Sequence, residues 1–167
     1  VAREDLVVVS VMPCTAKKFE AEQPKFQKDG VKDVDYVLTT LEIARMMSSM
    51  GIQFNELEAQ AFDMPFGFAT GAGIIFGATG GVMEAALRYA YEKISGETLK
   101  NVDFKAVRGF DGLKEASVKI GDITLKAAVV HGLENAKQLA EKVASGKADY
   151  HLIEVMSCPG GCISGAG

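Results

Sequence analysis

The sequence predicts an α/β protein, a mainly parallel sheet flanked by helices with a local antiparallel hairpin. Three observations predict it. Short runs of β-branched residues that are apolar on both faces alternate with helical patterns, as strands do when helices cover a parallel sheet. The pair Gly121-Asp122 separates two apolar runs at the spacing of a two-residue hairpin turn. Leu133 to Ala144 repeats its apolar residues at the interval of one buried helix face. At 167 residues, 48% hydrophobic and 24% charged, the chain has the apolar mass for a core and reads as a single segment, 1–167.

Taken in order, Leu6 to Met12 (LVVVSVM) reads as a buried central strand, followed by a short polar helix from Thr15. Asp33 to Thr39 is a second strand. Thr40 then serves as N-cap of a helix over Leu41 to Met50, which Gly51 closes. Asn55 to Ala61 is read as another short helix. A glycine-rich loop leads into an amphipathic helix over Gly81 to Ile94, ended by Ser95-Gly96. Phe104 to Arg108 is a short strand, and Ser117 to Ile120 with Thr124 to Val130 forms the hairpin. On the helix from Leu133 to Ala144, the expected buried face is Leu133, Ala136, Leu139, Ala140 and Val143. Tyr150 to Val155 is the last buried strand.

Charge and composition exclude several classes. A net charge of −4 with scattered lysines leaves no basic footprint for nucleic acid. The uncharged stretch from Met64 to Met83 is broken by Pro65 and repeated glycines, so no membrane span is expected. No signal peptide opens the chain, and the segment preceding Val1 is expected to be missing. The expected compartment is the cytoplasm, with the periplasm as the alternative. Three cysteines are an odd count, which argues against a disulfide scaffold and for reduced thiols used in metal or redox work. Buried small hydrophobes are the bland alternative.

The placement of these cysteines favours chemistry. Cys14 follows the carboxyl end of one expected strand and Cys158 that of another, where α/β folds bind ligands. A thiol at a helix mouth beside Lys17 and Lys18 is expected to ionise more easily. In Cys158-Pro159-Gly160-Gly161-Cys162, two thiols four positions apart can face one metal centre, while the glycines let the backbone approach it. Zinc is the competitor, but three cysteines are too few for a structural site, and His131 and His151 lack ligand spacing. His131 is expected to be a strand-end residue bonded to backbone. The glycines from Gly67 to Gly81 lack the lysine of a phosphate loop.

Three blocks carry a resemblance: MPCTAKKFE at 12–20, TGAGIIFGATGGVMEAALR at 70–88 and EVMSCPGGCISGAG at 154–167. The first and last resemble the second and third signature motifs of the H-cluster domain of iron–iron hydrogenases. The likeness extends over essentially the whole chain. It implies a 4Fe-4S cubane held by four cysteines, joined to a two-iron subcluster bearing CO, cyanide and a dithiolate. Carried across by motif, Cys14 and Cys158 ligate the cubane, and Cys162 both ligates it and bridges to the two-iron unit. Lys17 corresponds to the lysine that hydrogen-bonds a cyanide ligand. Met12 and Met156 correspond to methionines packed around the two-iron unit. Glu20 is expected to be a structural ion-pair partner, Lys18 a surface residue, and Glu84 a capping or buried-pairing residue.

The first signature motif is absent, so the fourth cubane cysteine and the proton-relay cysteine are expected upstream of Val1. Gly165-Ala166-Gly167 also departs from the family's glycine triplet. The resemblance therefore implies an H-cluster domain-like but incomplete domain, inactive alone. It would work beside the missing N-terminal half of the catalytic domain or a complementary subunit. The implied activity is the reversible reduction of protons to dihydrogen, as an FeFe hydrogenase, with electrons from ferredoxin or an NAD(P)H-linked reductase subunit. The alternatives are a hydrogenase-like iron–sulfur assembly factor without the two-iron subcluster, and a sensory hydrogenase-like module.

Overall fold

In the computed structural model the described residues are 1–64, 67–99, 102–103, 105–106, 111–165 and 167. They form two compact units: Val1–Phe62 with Gly165–Gly167, and Asp63–Ser164.

In the first unit, β1 (Val9–Val11) precedes α1 (Ala16–Ala21), followed by β2 (Gln27–Lys28), β3 (Val31–Lys32), β4 (Tyr36–Leu38) and α2 (Thr40–Ser49). Strands β1 and β4 pair in parallel, with Ser10 opposite Val37. Between the antiparallel β2 and β3, Asp29 (φ 53) and Gly30 (φ 80) both take the positive φ of a type I′ turn. Helix α2 begins one residue earlier than the sequence suggests. Thr39 caps it, accepting from the Glu42 N–H at 3.3 Å while its own N–H donates to the Glu42 carboxylate at 2.8 Å.

Two expectations for this unit are corrected. The strand anticipated over Leu6 to Met12 pairs only at Val9–Val11, and Val7, Val9 and Val11 are 72%, 47% and 53% exposed. The Val8 N–H instead donates to Asp35 at 2.7 Å. That bond, with the Arg3 guanidinium at 2.9 Å, holds the Asp35 carboxyl below the usual carboxylate range. The helix expected over Asn55 to Ala61 is reduced to a single 3₁₀ turn at Phe54–Glu56. A helix this short needs a buried face, and Leu57 and Phe62 stay exposed.

The second unit contains α3 (Gly71–Ile75), α4 (Gly81–Ser95), β5 (Lys105–Ala106), β6 (Leu113–Ile120), β7 (Ile123–His131), α5 (Leu133–Ala144) and β8 (Leu152–Met156). The sheet runs β5-β6-β7-β8, antiparallel except for the parallel β7–β8 pair that α5 connects. The α/β class holds, and the hairpin turns at Gly121-Asp122 as expected, with Ile120 opposite Ile123. Antiparallel pairing extends beyond that hairpin to β2–β3 and β5–β6.

Side-chain alternation along β7 splits the core in two. Ala127 and Val129 face Met83 and Leu87 of α4, joined by Val118 and Ile120. Ala128 and Val130 face Leu139 of α5, joined by Leu113. Enclosing Leu87 completely contributes about 1.5–3 kcal/mol. The five-residue face expected on α5 is corrected to a narrower one. Leu139 is buried and Ala136 packs beside it, whereas Leu133 and Val143 are exposed. Of the strand expected over Phe104 to Arg108, β5 gives Lys105–Ala106, and the remainder lies outside the described residues. Strand β8, read as buried, is half-open: Leu152, Ile153 and Val155 are exposed. Among the described residues no helix is long and apolar enough to cross a membrane.

Candidate functional site

Cys14, Met12 and Lys17 lie in the first unit. The Met12 N–H donates to the Leu38 carbonyl at 3.0 Å, which fixes the chain as it leaves β1. Pro13 and a half-buried, free Cys14 follow, then Thr15 at the head of α1. Lys17 Nζ donates to both Glu20 oxygens at 2.7 Å, so Glu20 is the ion-pair partner the sequence suggests. Met12, Lys17 and Glu20 share the wall of a cavity of about 170 Å³ with Phe26 and Val37. Lys18 turns outward to Glu42 at 2.7 Å. That ammonium, with the Thr39 N–H, holds the Glu42 carboxyl down to about 2.

Cys158, Cys162 and Met156 lie in the second unit. Met156 ends β8 opposite His131 at the end of β7, and its carbonyl accepts from the Gly132 N–H at 2.8 Å. The chain then turns back, with the Gly161 N–H donating to the Cys158 carbonyl at 3.1 Å. Gly160 (φ 83) and Gly161 (φ 101) both occupy the left-handed region. This loop lies against the turn before α4. There the Thr79 N–H donates to the Gly160 carbonyl and the Ile163 N–H to the Gly77 carbonyl, each at 3.0 Å. A β-carbon on Gly161 would stand 2.5 Å from the Gly77 oxygen and 2.6 Å from the Thr79 nitrogen. Glycine is therefore required by contact as well as by φ. Cys158 is half-buried, Cys162 exposed, and both are free.

Two participants escaped the sequence reading. Glu154 reaches from β8 to the start of α4, where it accepts from the Gly80 N–H at 2.6 Å and the Met83 N–H at 2.7 Å. It lies two residues before Met156, on the same strand face, but nothing in the sequence marks its partners. Thr79 Oγ1 is buried beside the loop with no partner among the described residues. Nothing in the sequence distinguishes that threonine from a capping residue. Glu84 pairs with Arg88 at 3.3 Å on α4, but the pair is partly exposed rather than buried as expected.

The donor set fits an iron–sulfur cluster better than a single ion. Thiolates select zinc, copper(I) or iron–sulfur clusters. His151 Nδ1 accepts from the Lys126 N–H at 3.1 Å, and the His131 N–H is bonded to the Gly112 carbonyl. A cluster takes one thiolate per iron over a larger body, with sulfides that accept hydrogen bonds. The buried Thr79 hydroxyl, without a partner among the described residues, leaves a donor on the turn that the Cys158–Cys162 loop packs against. A cavity of about 580 Å³ in this unit, beside Tyr91, Leu99 and Glu115, is lined by no cysteine.

Comparison with known proteins agrees with this chemistry. The family described as the iron only hydrogenase large subunit, C-terminal domain, matches residues 1–166. The chain is 56% identical to the NADP-reducing hydrogenase subunit HndD of Solidesulfovibrio fructosivorans, over 100% of this chain and 28% of that protein. It is 49% identical to the periplasmic Fe hydrogenase large subunit of Nitratidesulfovibrio vulgaris, over 98% and 39% respectively. It is also 34% identical to the cytosolic Fe-S cluster assembly factor narfl of Xenopus tropicalis, over 95% and 34%. A variant of the FeFe-hydrogenase HydA1 from Chlamydomonas reinhardtii superposes with a TM-score of 0.82 at 38% identity, over 100% of this chain and 50% of that one. The chain thus spans half or less of the length of each of these proteins.

Proposed function

The chain belongs to the family formed by the C-terminal domains of iron only hydrogenase large subunits, and from that premise we propose that it supplies three of the cysteine ligands of an H-cluster. Cys14 and Cys158 ligate the 4Fe-4S cubane, and Cys162 ligates it and bridges to the two-iron subcluster. When bound, the cluster supplies the redox chemistry that interconverts protons and dihydrogen. The residues of the chain hold, shield and orient it. The observation that carries this reading is the Cys158–Cys162 loop, with both glycines at positive φ, pressed onto a glycine turn beside a buried hydroxyl that lacks a partner among the described residues.

Lys17 and Met12 share one cavity wall. The lysine ammonium is suited to an anionic cyanide ligand, with Glu20 fixing its direction. Met12 and Met156 provide soft, apolar cover. The fourth cubane ligand and the proton relay come from a complementary N-terminal segment or a separate chain. Electrons come from ferredoxin or an NAD(P)H-linked reductase, in the cytoplasm or, as the alternative, the periplasm.

A second reading has its own support, since an assembly factor is 34% identical over most of this chain. Such a protein would hold the cubane without the two-iron unit. Identity to the hydrogenases is higher, at 56% and 49%. The test is reconstitution with iron, sulfide and a two-iron mimic, followed by infrared spectroscopy and a reduced-viologen assay for hydrogen. The chain alone should release none. Joined to a segment carrying the paired-cysteine motif, it should give CO and cyanide bands with turnover. An intact cubane without those bands would favour the assembly-factor reading, and robust turnover by the chain alone would refute its incompleteness.

A further inference from the structure

Resting on the cluster reading of the Cys158–Cys162 loop, we propose that Glu154 is the positioning residue that sets the geometry of that loop. Helix α4 has Gly80 at its N-cap position, and no side chain of its own caps it. The cap comes instead from a strand 74 and 71 residues away, as the two Glu154 oxygens take the Gly80 and Met83 N–H groups at 2.6 and 2.7 Å. Hydrogen bonds to an ionised acceptor at these lengths are the strong kind, and the carboxylate also meets the positive end of a 15-residue helix.

The residues just before that helix are the ones that carry the loop. Gly77 accepts from Ile163 and Thr79 donates to Gly160, each at 3.0 Å, so the loop is bonded on both sides of Gly161. Glu154 itself is on β8, which runs into Cys158. One carboxylate therefore closes a circuit: strand to helix start, helix start to glycine turn, glycine turn to ligand loop, ligand loop back to strand. The Gly161 contact leaves that circuit little slack, because the backbones already meet too closely for a β-carbon. Freeing the helix start would let the glycine turn shift and carry Gly160 and Ile163 with it, which changes the spacing of the two thiols.

The test compares Glu154→Gln, Glu154→Ala and a control, Glu84→Gln, which removes a carboxylate from the same helix without touching the loop. In the protein without metal, amide hydrogen exchange at Thr79, Gly80, Met83 and Ile163 should accelerate on the order of tenfold in Glu154→Gln and more in Glu154→Ala. Val129 and the control should not change. After joining to the complementary segment and reconstitution with ferrous iron and sulfide, the reduced cluster of Glu154→Gln should give a broadened electron paramagnetic resonance spectrum, and iron retained against a chelator should fall several-fold. Unchanged exchange at Thr79 and Ile163 overturns the proposal whether or not iron binds. Altered exchange with an unaltered spectrum and iron content overturns it too, leaving an ordinary helix cap. Failure of the unsubstituted protein to take up iron counts against the cluster reading, on which the proposal depends.

Discussion

The two units bury their side chains to opposite degrees. In Asp63–Ser164, Leu87, Ala127, Ala128, Val129 and Val130 are completely enclosed, sandwiched between one sheet and a helix on each face. Among the described residues of the first unit, Thr39 alone is buried, and valines that a sheet would normally cover stand open. Beside the β1–β4 ladder, its distant segments are tied by ion pairs: Arg3 to Asp35, Lys32 to Glu22 and Lys18 to Glu42. Pairs this exposed are screened by solvent and contribute little each. The cysteines accordingly rest on different physics. Cys158 and Cys162 hang from a dry core, whereas Cys14 hangs from a scaffold that needs an apolar cover, which the proposed complementary segment would supply.

The largest test of that contrast is at the thiols. Replacing Cys158 by Ser should abolish the iron–sulfur chromophore after reconstitution, and Cys14→Ser should do the same once the complementary segment is present. Equal chromophore in either variant would remove that residue from the ligand set. Next come core substitutions in the second unit. Leu87→Ala should cost about 2–5 kcal/mol in denaturant unfolding, and Gly161→Ala roughly 1–3 kcal/mol from backbone strain before its clash is counted. A result near zero for Leu87→Ala would erase the difference between the units. In the first unit the strongest single substitution we expect is smaller: Thr39→Ala, which breaks the capping box, should cost about 1 kcal/mol.

The smallest effects are those of pH, and they run in opposite directions. Glu42 is depressed from 4.5 to about 2 by Lys18 and the Thr39 N–H, so its stabilisation is full above pH 4.5 and fades as pH falls through 2. Tyr150 is pushed up from 10 to about 12 by burial and by its bond to Glu115. Its contribution is full below pH 10 and is lost as pH rises through 12. Alkali should therefore loosen the second unit through Tyr150, and acid the first through Glu42. Glu42→Gln should flatten the acid limb of a unit-resolved exchange profile and leave the alkaline limb alone.

Legibility in the sequence followed the same divide. Where residues pack against residues of this chain, pattern sufficed: the Gly121-Asp122 hairpin, α4 and α5 lie where periodicity and turn chemistry put them. The Asp29-Gly30 hairpin carried an equally good turn signal, but its strands are two residues each, too short for alternation to register. Val7 to Val11 read as buried because apolarity reports what a strand requires, not whether its cover is present. The roles proposed for the cysteines and Lys17 come from motif. The Glu154 link was not, because it joins residues more than 70 positions apart and a lone glutamate in a strand gives no pairing signal.

Strand β8 ends the four-stranded sheet among the described residues, and it bears Leu152, Ile153 and Val155 at 42%, 40% and 51% exposure. A margin of that kind, with ladder groups free on one side, is a template for another copy of itself. Preparations without the complementary segment should self-associate through this margin as concentration rises, and light scattering at increasing protein concentration would register it. A lysine in place of Ile153 should suppress such growth, so the strand that runs into the proposed ligand loop is also where an unpartnered chain would begin to precipitate.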